Sequence, residues 1–138
     1  VGDEVFTPVA GQIGSIGARA GHESIAGALE REGIVVTYFA DPPDKVALAP
    51  ERALDKVGLE RGTRDVRIAA TAFREAVCAS PIGVRRGLTP EGLYELGADV
   101  LSGQAAVDAG LADGVATFEE VAAYALAQAG REEAAVRT

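Results

Sequence analysis

Two side chains in this 138-residue sequence have the type needed for proton transfer near neutral pH, Lys45 and His22. Lys45 is one of two lysines, and it lies in the proline-rich segment DPPDKVA directly after an apolar run. A lysine acts as a general base only when burial or a neighbouring cation lowers its pKa from about 10.4. A hydroxyl held beside it then becomes a nucleophile. Without such surroundings Lys45 is a solvated loop lysine, because most lysines are exposed.

His22 is the only histidine, so a Ser-His-Asp triad would have to use it. It stands at the start of a predicted helix, where it caps the helix or points to solvent. A small esterase built on His22 would need a G-x-S-x-G segment, which is absent from the sequence. The lone Cys78 cannot form an internal disulfide, and Gly11, Gly14 and Gly17 match neither the dinucleotide fingerprint nor a P-loop. The sequence therefore predicts no cofactor and no metal.

The charge balance excludes some classes of partner. The chain carries 13 Lys and Arg against 21 Asp and Glu, a net charge of −8. This argues against binding of nucleic acid or of an anionic membrane surface. No uncharged apolar stretch reaches the roughly 18 residues of a spanning helix, so we expect a soluble chain. Because the sequence starts at Val1 and contains no Met, we also expect that an upstream portion is missing.

The apolar pattern predicts helices that alternate with short strands, which favours an α/β fold over a helical bundle. Strands are predicted at 4–7, at 34–39 and from Asp99, and helices at 22–32, 51–78, 89–96, 102–110 and 118–129. A glycine-rich loop at 11–17, a proline-rich loop at 40–50 and a turn at 80–87 connect them. We expect one domain over residues 1–130 and a fraying tail over 131–138.

Three of these predictions concern particular residues. The run IVVTYF at 34–39 is β-branched and aromatic, so its strand should be buried on at least one face. Thr89 and Pro90 should be the N-cap and the first residue of a helix. Gly33 and Gly110 should end helices, and Gly110 should do so with a left-handed backbone.

Four segments, in order, resemble the signal peptide peptidase A family of serine proteases, and most of all its phage head-maturation branch. They are TPVAGQIGSIG at 7–17, EGIVVT at 32–37, Lys45 in its loop, and SGQAAVDAGLADGV at 102–115. The resemblance covers about residues 2–122. The elements G-S-I-G and G-x-x-A-x-x-x-G-L-x-D, with a lysine between them, together form a fairly specific signature.

The resemblance implies a ClpP/crotonase-like fold and a Ser/Lys dyad. Lys45, and not Lys56, matches the general base of that family, and Ser15 of G-S-I-G matches the serine whose hydroxyl orients the lysine. The resemblance places the nucleophilic serine and the oxyanion hole upstream of this sequence. Because nearby carboxylates would keep the lysine protonated, we expect Asp41 and Asp44 to point to solvent.

Two functions stay open at this point. The first is the C-terminal portion of a Ser/Lys serine endopeptidase, inactive alone, whose partners are a peptide or protein substrate, capsid or scaffold proteins, and further copies of itself. The second is a non-catalytic relative that acts as an assembly or scaffold-binding module. A phage-type protein would be cytoplasmic, whereas the parent of a signal peptide peptidase would be membrane-associated. A small-residue serine segment upstream of Val1 would favour the peptidase.

Overall fold

The computed structural model describes the backbone of residues 4–136 and the side chains of residues 4–131. The elements are β1 (Phe6–Thr7), β2 (Gln12–Gly14), α1 (Ala26–Arg31), a 3₁₀ helix (Pro43–Val46), α2 (Lys56–Ala79), α3 (Pro81–Arg85), α4 (Pro90–Glu95), β3 (Val100–Ser102), α5 (Gly103–Asp108), β4 (Gly114–Val115) and α6 (Phe118–Val136). This mixture of helices and short strands is compatible with the predicted α/β fold.

The chain divides into two compact units, a first unit of Val1–Ile16 with Arg74–Thr138 and a second unit of Gly17–Phe73. The single domain predicted over residues 1–130 stays a prediction. α6 runs seven residues beyond the helix end predicted at Ala129, so residues 131–136 of the predicted tail are helical. Residues 137–138 of that tail, like residues 1–3 of the predicted domain, lie outside the described residues.

The first unit is organised by two pairs of short strands. β1 pairs in parallel with β4, and β2 pairs antiparallel with β3 with Ile13 opposite Leu101. Around these strands the buried side chains are Thr7, Leu93, Ala106, Leu111 and Ala112. The ring of Phe6 contacts that of Tyr124 edge to face at 5.7 Å between centroids, which packs α6 against β1.

The second unit is built around the contact between α2 and the loop that carries Lys45. Gly58, in the first turn of α2, is buried, and a Cβ atom built there would lie 2.5 Å from the carbonyl oxygen of Ala47. Glycine at this position therefore allows the close approach of the loop to α2. Gly33 follows α1 with φ of 71°, which confirms the predicted helix end.

Three helices begin with the same capping bond. The side chains of Asp55, Ser80 and Thr89 accept hydrogen bonds from the backbone N–H groups of the glycines three residues later, at 2.8, 3.0 and 3.0 Å. The Thr89 cap was predicted and is confirmed. At the start of α6, Thr117 and Glu120 exchange backbone-to-side-chain bonds in a capping box.

Five sequence predictions are corrected by the structure. Residues 34–39 form no strand, since no described strand lies beside them to complete a ladder. The predicted helix at 51–78 starts only at Lys56, after the Asp55 cap, and the helix predicted at 22–32 is limited to α1. The predicted turn at 80–87 contains α3, because Ser80 caps it. The predicted glycine loop at 11–17 contains β2, which pairs with β3.

Among the described residues, no helix combines the length and the apolarity that crossing a membrane requires.

Candidate active site

Lys45 lies on the 3₁₀ helix of the second unit, and its side chain is exposed. Its backbone N–H donates to the carbonyl oxygen of Pro42 at 3.0 Å. Within the described chain its ammonium group forms no ion pair, and Asp41 and Asp44 are both exposed, as predicted. The lysine is therefore without the carboxylate contact that would fix its proton.

Two contacts hold the lysine loop against α2. Arg61 Nη1 donates to the backbone carbonyl oxygen of Asp44 at 2.9 Å. Ala47, one residue after the 3₁₀ helix, is buried where it meets Gly58. The backbone on either side of Lys45 is thus fixed to a long helix, while the lysine side chain stays accessible.

Lys45 lines a cavity of about 540 Å³ in the second unit. The apolar part of its wall comes from Tyr38, Phe39, Val46 and Leu48. Tyr38 also donates its phenolic hydrogen to Glu51. This bond raises the pKa of Tyr38 and lowers that of the Glu51 carboxyl, because it favours the neutral phenol and the ionised acid. The site thus presents the side chains of Lys45 and Asp41 beside an apolar wall that has room for a side chain of a bound peptide.

Ser15, the other predicted site residue, lies in the first unit, whereas Lys45 lies in the second. Each is therefore described within its own unit. Its φ of 54° is left-handed, and its backbone N–H donates to the carbonyl oxygen of Asp99 at 2.9 Å. Gly14 before it has φ of 147°, and a Cβ there would lie 2.2 Å from the same oxygen. The turn presents an exposed serine whose hydroxyl has no hydrogen-bond partner among the described residues.

The two other candidate residues considered in the sequence are His22 and Cys78. His22 lies before α1, and its Nε2 atom is 3.2 Å from the carbonyl oxygen of Ala49. Cys78 is half-buried near the end of α2 and unpaired. In the described part of the chain, no group of three or more His, Cys, Asp or Glu is arranged to hold a metal ion.

An ion-pair network that no sequence pattern predicted lies at the end of the G-x-x-A-x-x-x-G-L-x-D element. The Asp113 carboxylate accepts hydrogen bonds from Arg86, from Arg85 Nη2 at 2.9 Å and from the backbone N–H of Val5 at 2.7 Å. These bonds, first of all those from Arg86, hold the pKa of the Asp113 carboxyl well below its usual range. Arg86 Nη1 also donates to the carbonyl oxygen of Leu111 at 2.7 Å. The acid of this element therefore anchors β1 and the turn before β4.

The chain is similar to the capsid assembly protease C of Escherichia phage lambda. The two are 36% identical over 103 residues, which cover 74% of this chain and 22% of the phage protein. The chain therefore spans about a fifth of the length of the curated relative it matches. No protein-family model matches the chain. The similarity supports the link to phage head-maturation proteases that the motifs suggested.

Of the two features that the sequence did not predict, α3 and the Arg86–Asp113 network, only α3 has a local sequence signal. The pattern Ser-Pro-x-Gly at 80–83 repeats Thr-Pro-x-Gly at 89–92, so the rule that located α4 could also have located α3. The Arg86 network has no such signal, because 27 residues separate Arg86 from Asp113 and only the folded chain brings them together.

Proposed function

We propose that this chain is the part of a Ser/Lys-dyad serine endopeptidase that supplies the general base, in a protein of the phage head-maturation type of the signal peptide peptidase A family. The observation that carries the proposal is the placement of Lys45, exposed and without a carboxylate contact on the wall of a partly apolar cavity. The 36% identity to a capsid assembly protease supports the reaction class. A ClpP/crotonase-like fold of the whole protein belongs to the same proposal.

In this mechanism Lys45 accepts the proton of a nucleophilic serine supplied from outside these 138 residues. The serine oxygen then attacks the scissile carbonyl carbon, and the ammonium returns the proton to the leaving amine. For this the lysine must be neutral, so its amine must be desolvated. Substrate and the rest of the whole protein, once they cover the cavity beside Phe39 and Leu48, would supply that desolvation.

Ser15 has the supporting role in this proposal. Its left-handed backbone presents the hydroxyl outward, and within the described chain this hydroxyl is unused. A hydroxyl that accepts a hydrogen bond from the lysine would orient the amine toward the nucleophile. Loss of such an orienting bond weakens catalysis but leaves the base in place, so Ser15→Ala should reduce turnover less than loss of Lys45.

The test compares the two lysines in a longer protein that includes the serine segment. Lys45→Arg keeps the positive charge but replaces the base with a guanidinium that stays protonated, so peptide hydrolysis should be abolished. Lys56→Arg is the matched control, because Lys56 is 87% exposed and its ammonium group lies 3.8 Å from the Glu60 carboxylate. Near-normal turnover of Lys45→Arg would end the assignment.

The alternative is a non-catalytic assembly or scaffold-binding module, and the exposure of large apolar side chains such as Val9, Phe39 and Phe118 favours it. Both proposals expect the 138-residue chain alone to resist labelling by a serine-directed fluorophosphonate. They differ in the longer protein, where only the peptidase loses capsid-protein cleavage upon Lys45→Arg.

A further inference from the structure

The second unit contains a further cavity, of about 430 Å³, which we call the leucine hollow. Its apolar wall is formed by Leu48, Leu54, Leu59 and Val66. The three leucines are 40, 42 and 58% exposed, in that order. The volume lies within the roughly 300–1,000 Å³ of small-molecule sites. Leucines that stay half exposed around one hollow provide apolar surface for a ligand to cover.

The helix α2 gives the leucine hollow its elongated shape. Gly58, Gly62 and Val66 line it at a spacing of four residues, so they lie along one side of the helix over a length of about 12 Å. A Cβ atom built at Gly62 would point into the hollow, with Leu48 Cδ2 at 3.9 Å as its nearest neighbour. The space along the helix therefore suits an extended apolar chain.

The opposite wall is held in place by hydrogen bonds. The segment before α1 is joined to the loop after the 3₁₀ helix, because His22 Nε2 lies 3.2 Å from the carbonyl oxygen of Ala49 and Ser24 Oγ donates to that of Arg52 at 2.8 Å. On the other side, Gly58 holds the same loop against α2. The leucine hollow is thus formed without a ligand, which keeps the ordering cost of binding small.

The charge at the leucine hollow is unlike that of the whole chain. Arg19 is the one Lys or Arg in its described wall, and no described Asp or Glu lines it, although the chain has a net charge of −8. Arg19 is exposed and forms no ion pair with any residue that the structure describes. A guanidinium group at the border of an apolar surface favours a ligand that carries a carboxylate and an apolar chain.

A free alkyl carboxylate fits this wall better than the C-terminus of a peptide. Besides Arg19, the polar side chains of the wall are His22, whose Nε2 already faces a carbonyl oxygen, and the exposed Thr63. A peptide would bring amide groups into the leucine hollow, and these would lose their bonds to water without gaining enough partners. An alkyl chain has no such groups.

We propose that the leucine hollow binds a medium-chain alkyl carboxylate, with the chain along α2 and the carboxylate beside Arg19. Burial of the chain supplies the affinity, and the guanidinium selects the acid over a neutral molecule of the same length. The proposal does not depend on the peptidase function. Of the described residues, Leu48 alone lines both this hollow and the Lys45 cavity.

Binding can be measured on the ¹⁵N-labelled 138-residue chain by NMR titration with sodium octanoate. The amide signals of Gly21, Gly58 and Gly62, which line the leucine hollow, should shift, whereas those of Gly83 and Gly130 in the first unit should not. Butanoate, which has the same charge and a shorter chain, should bind at least about tenfold more weakly. Octanol, which has the chain without the charge, should bind at least about threefold more weakly than octanoate.

Substitutions then test each part of the site. Arg19→Gln should weaken octanoate at least about threefold and leave octanol unchanged. Arg67→Gln is the matched control, because it removes an exposed arginine of α2 that lies outside the leucine hollow, and octanoate affinity should not change. Gly62→Leu should fill the hollow and weaken both ligands at least about tenfold. Gly130→Leu, where a built Cβ has no atom within 4 Å, should leave both affinities unchanged.

Three outcomes would overturn the inference: equal affinity for octanoate and octanol, equal effects of Arg19→Gln and Arg67→Gln, or shifts confined to the glycines of the first unit. The exposed Arg19→Gln substitution keeps the test valid if Gly62→Leu fails to fold by circular dichroism. If sedimentation shows a dimer that octanoate dissociates, the leucine hollow is an interface between copies and the proposal is wrong.

Discussion

Arg86 and Asp113 form an enclosed ion pair in the first unit, with side chains that are 9 and 19% exposed. The pair joins the end of α3 to the turn before β4, and the same carboxylate holds the backbone of Val5. The aspartate of the G-x-x-A-x-x-x-G-L-x-D element therefore has a structural role here, because it fixes β1 beside β4.

The first prediction concerns this pair. Asp113→Asn should lower the free energy of unfolding by about 2 kcal/mol, because it leaves the enclosed Arg86 charge without its partner. The control is Asp65→Asn, which breaks the Arg64–Asp65 pair whose side chains are 63 and 53% exposed. It should cost less than about 0.5 kcal/mol. Urea denaturation followed by circular dichroism measures both, and equal effects would contradict the prediction.

The same carboxylate predicts a dependence of stability on pH. The pKa of Asp113 is lowered in the folded protein by its bonds to Arg86, Val5 and Arg85, whereas in the unfolded chain it is about 3.9. On acidification the unfolded state therefore takes up the proton first, so the stabilisation is complete above about pH 5 and is lost as the pH falls below about 4. Urea midpoints between pH 3 and pH 6 should decline less steeply in Asp113→Asn than in the parent chain. Parallel declines would refute the assignment.

Helix caps give a third prediction with an internal control. Ser80→Ala and Thr89→Ala each remove a cap bond to a glycine N–H and should each cost about 1 kcal/mol. Ser102 occupies the N-cap position of α5, but its side chain makes no cap bond, so Ser102→Ala should change stability by less than about 0.5 kcal/mol. Thermal or urea unfolding of the three variants measures these changes. If Ser102→Ala lowers stability as much as Ser80→Ala and Thr89→Ala do, the prediction is wrong.

Gly110 gives the fourth prediction, which the sequence already made. Its φ is 72°, which confirms the expected left-handed backbone after α5, and Leu111 behind it is buried. Gly110→Val should cost more than about 1 kcal/mol through strain at positive φ. Gly130→Val, in α6 with no atom within 4 Å of a built Cβ, should stay within about 0.5 kcal/mol of the parent. A Gly110→Val variant as stable as Gly130→Val would show that the backbone tolerates the side chain.

What the sequence predicted correctly was local. The Thr89 cap, the Gly33 and Gly110 helix ends and the strand after Asp99 depend on a few neighbouring residues each, and all are confirmed. The mixture of helices and strands that they implied is also present.

What the sequence mispredicted depends on distant partners. The β-branched run at 34–39 has strand propensity, but a strand also needs a neighbour, and the described chain provides none. β2 is the opposite case, since a glycine-rich segment became a strand because β3 lies beside it. Lys45 and Ser15 came from a resemblance of motifs, so their roles stay predictions.

The last prediction concerns how the fold positions Lys45. In Gly58→Ala the new Cβ would lie 2.5 Å from the Ala47 carbonyl oxygen and 2.8 Å from Leu54 Cδ1, so the lysine loop and α2 must move apart. Alanine favours a helix by about 1 kcal/mol over glycine. The steric overlap should outweigh this gain, so Gly58→Ala should lower the free energy of unfolding by about 1 kcal/mol. Gly62→Ala, one turn later and 3.9 Å from Leu48 Cδ2, should be stabilising instead. In a longer active protein Gly58→Ala should also reduce peptide hydrolysis while Gly62→Ala retains it, because only the first displaces the backbone that carries Lys45. Equal activity and stability of the two variants would show that the contact between Gly58 and Ala47 does not position the lysine.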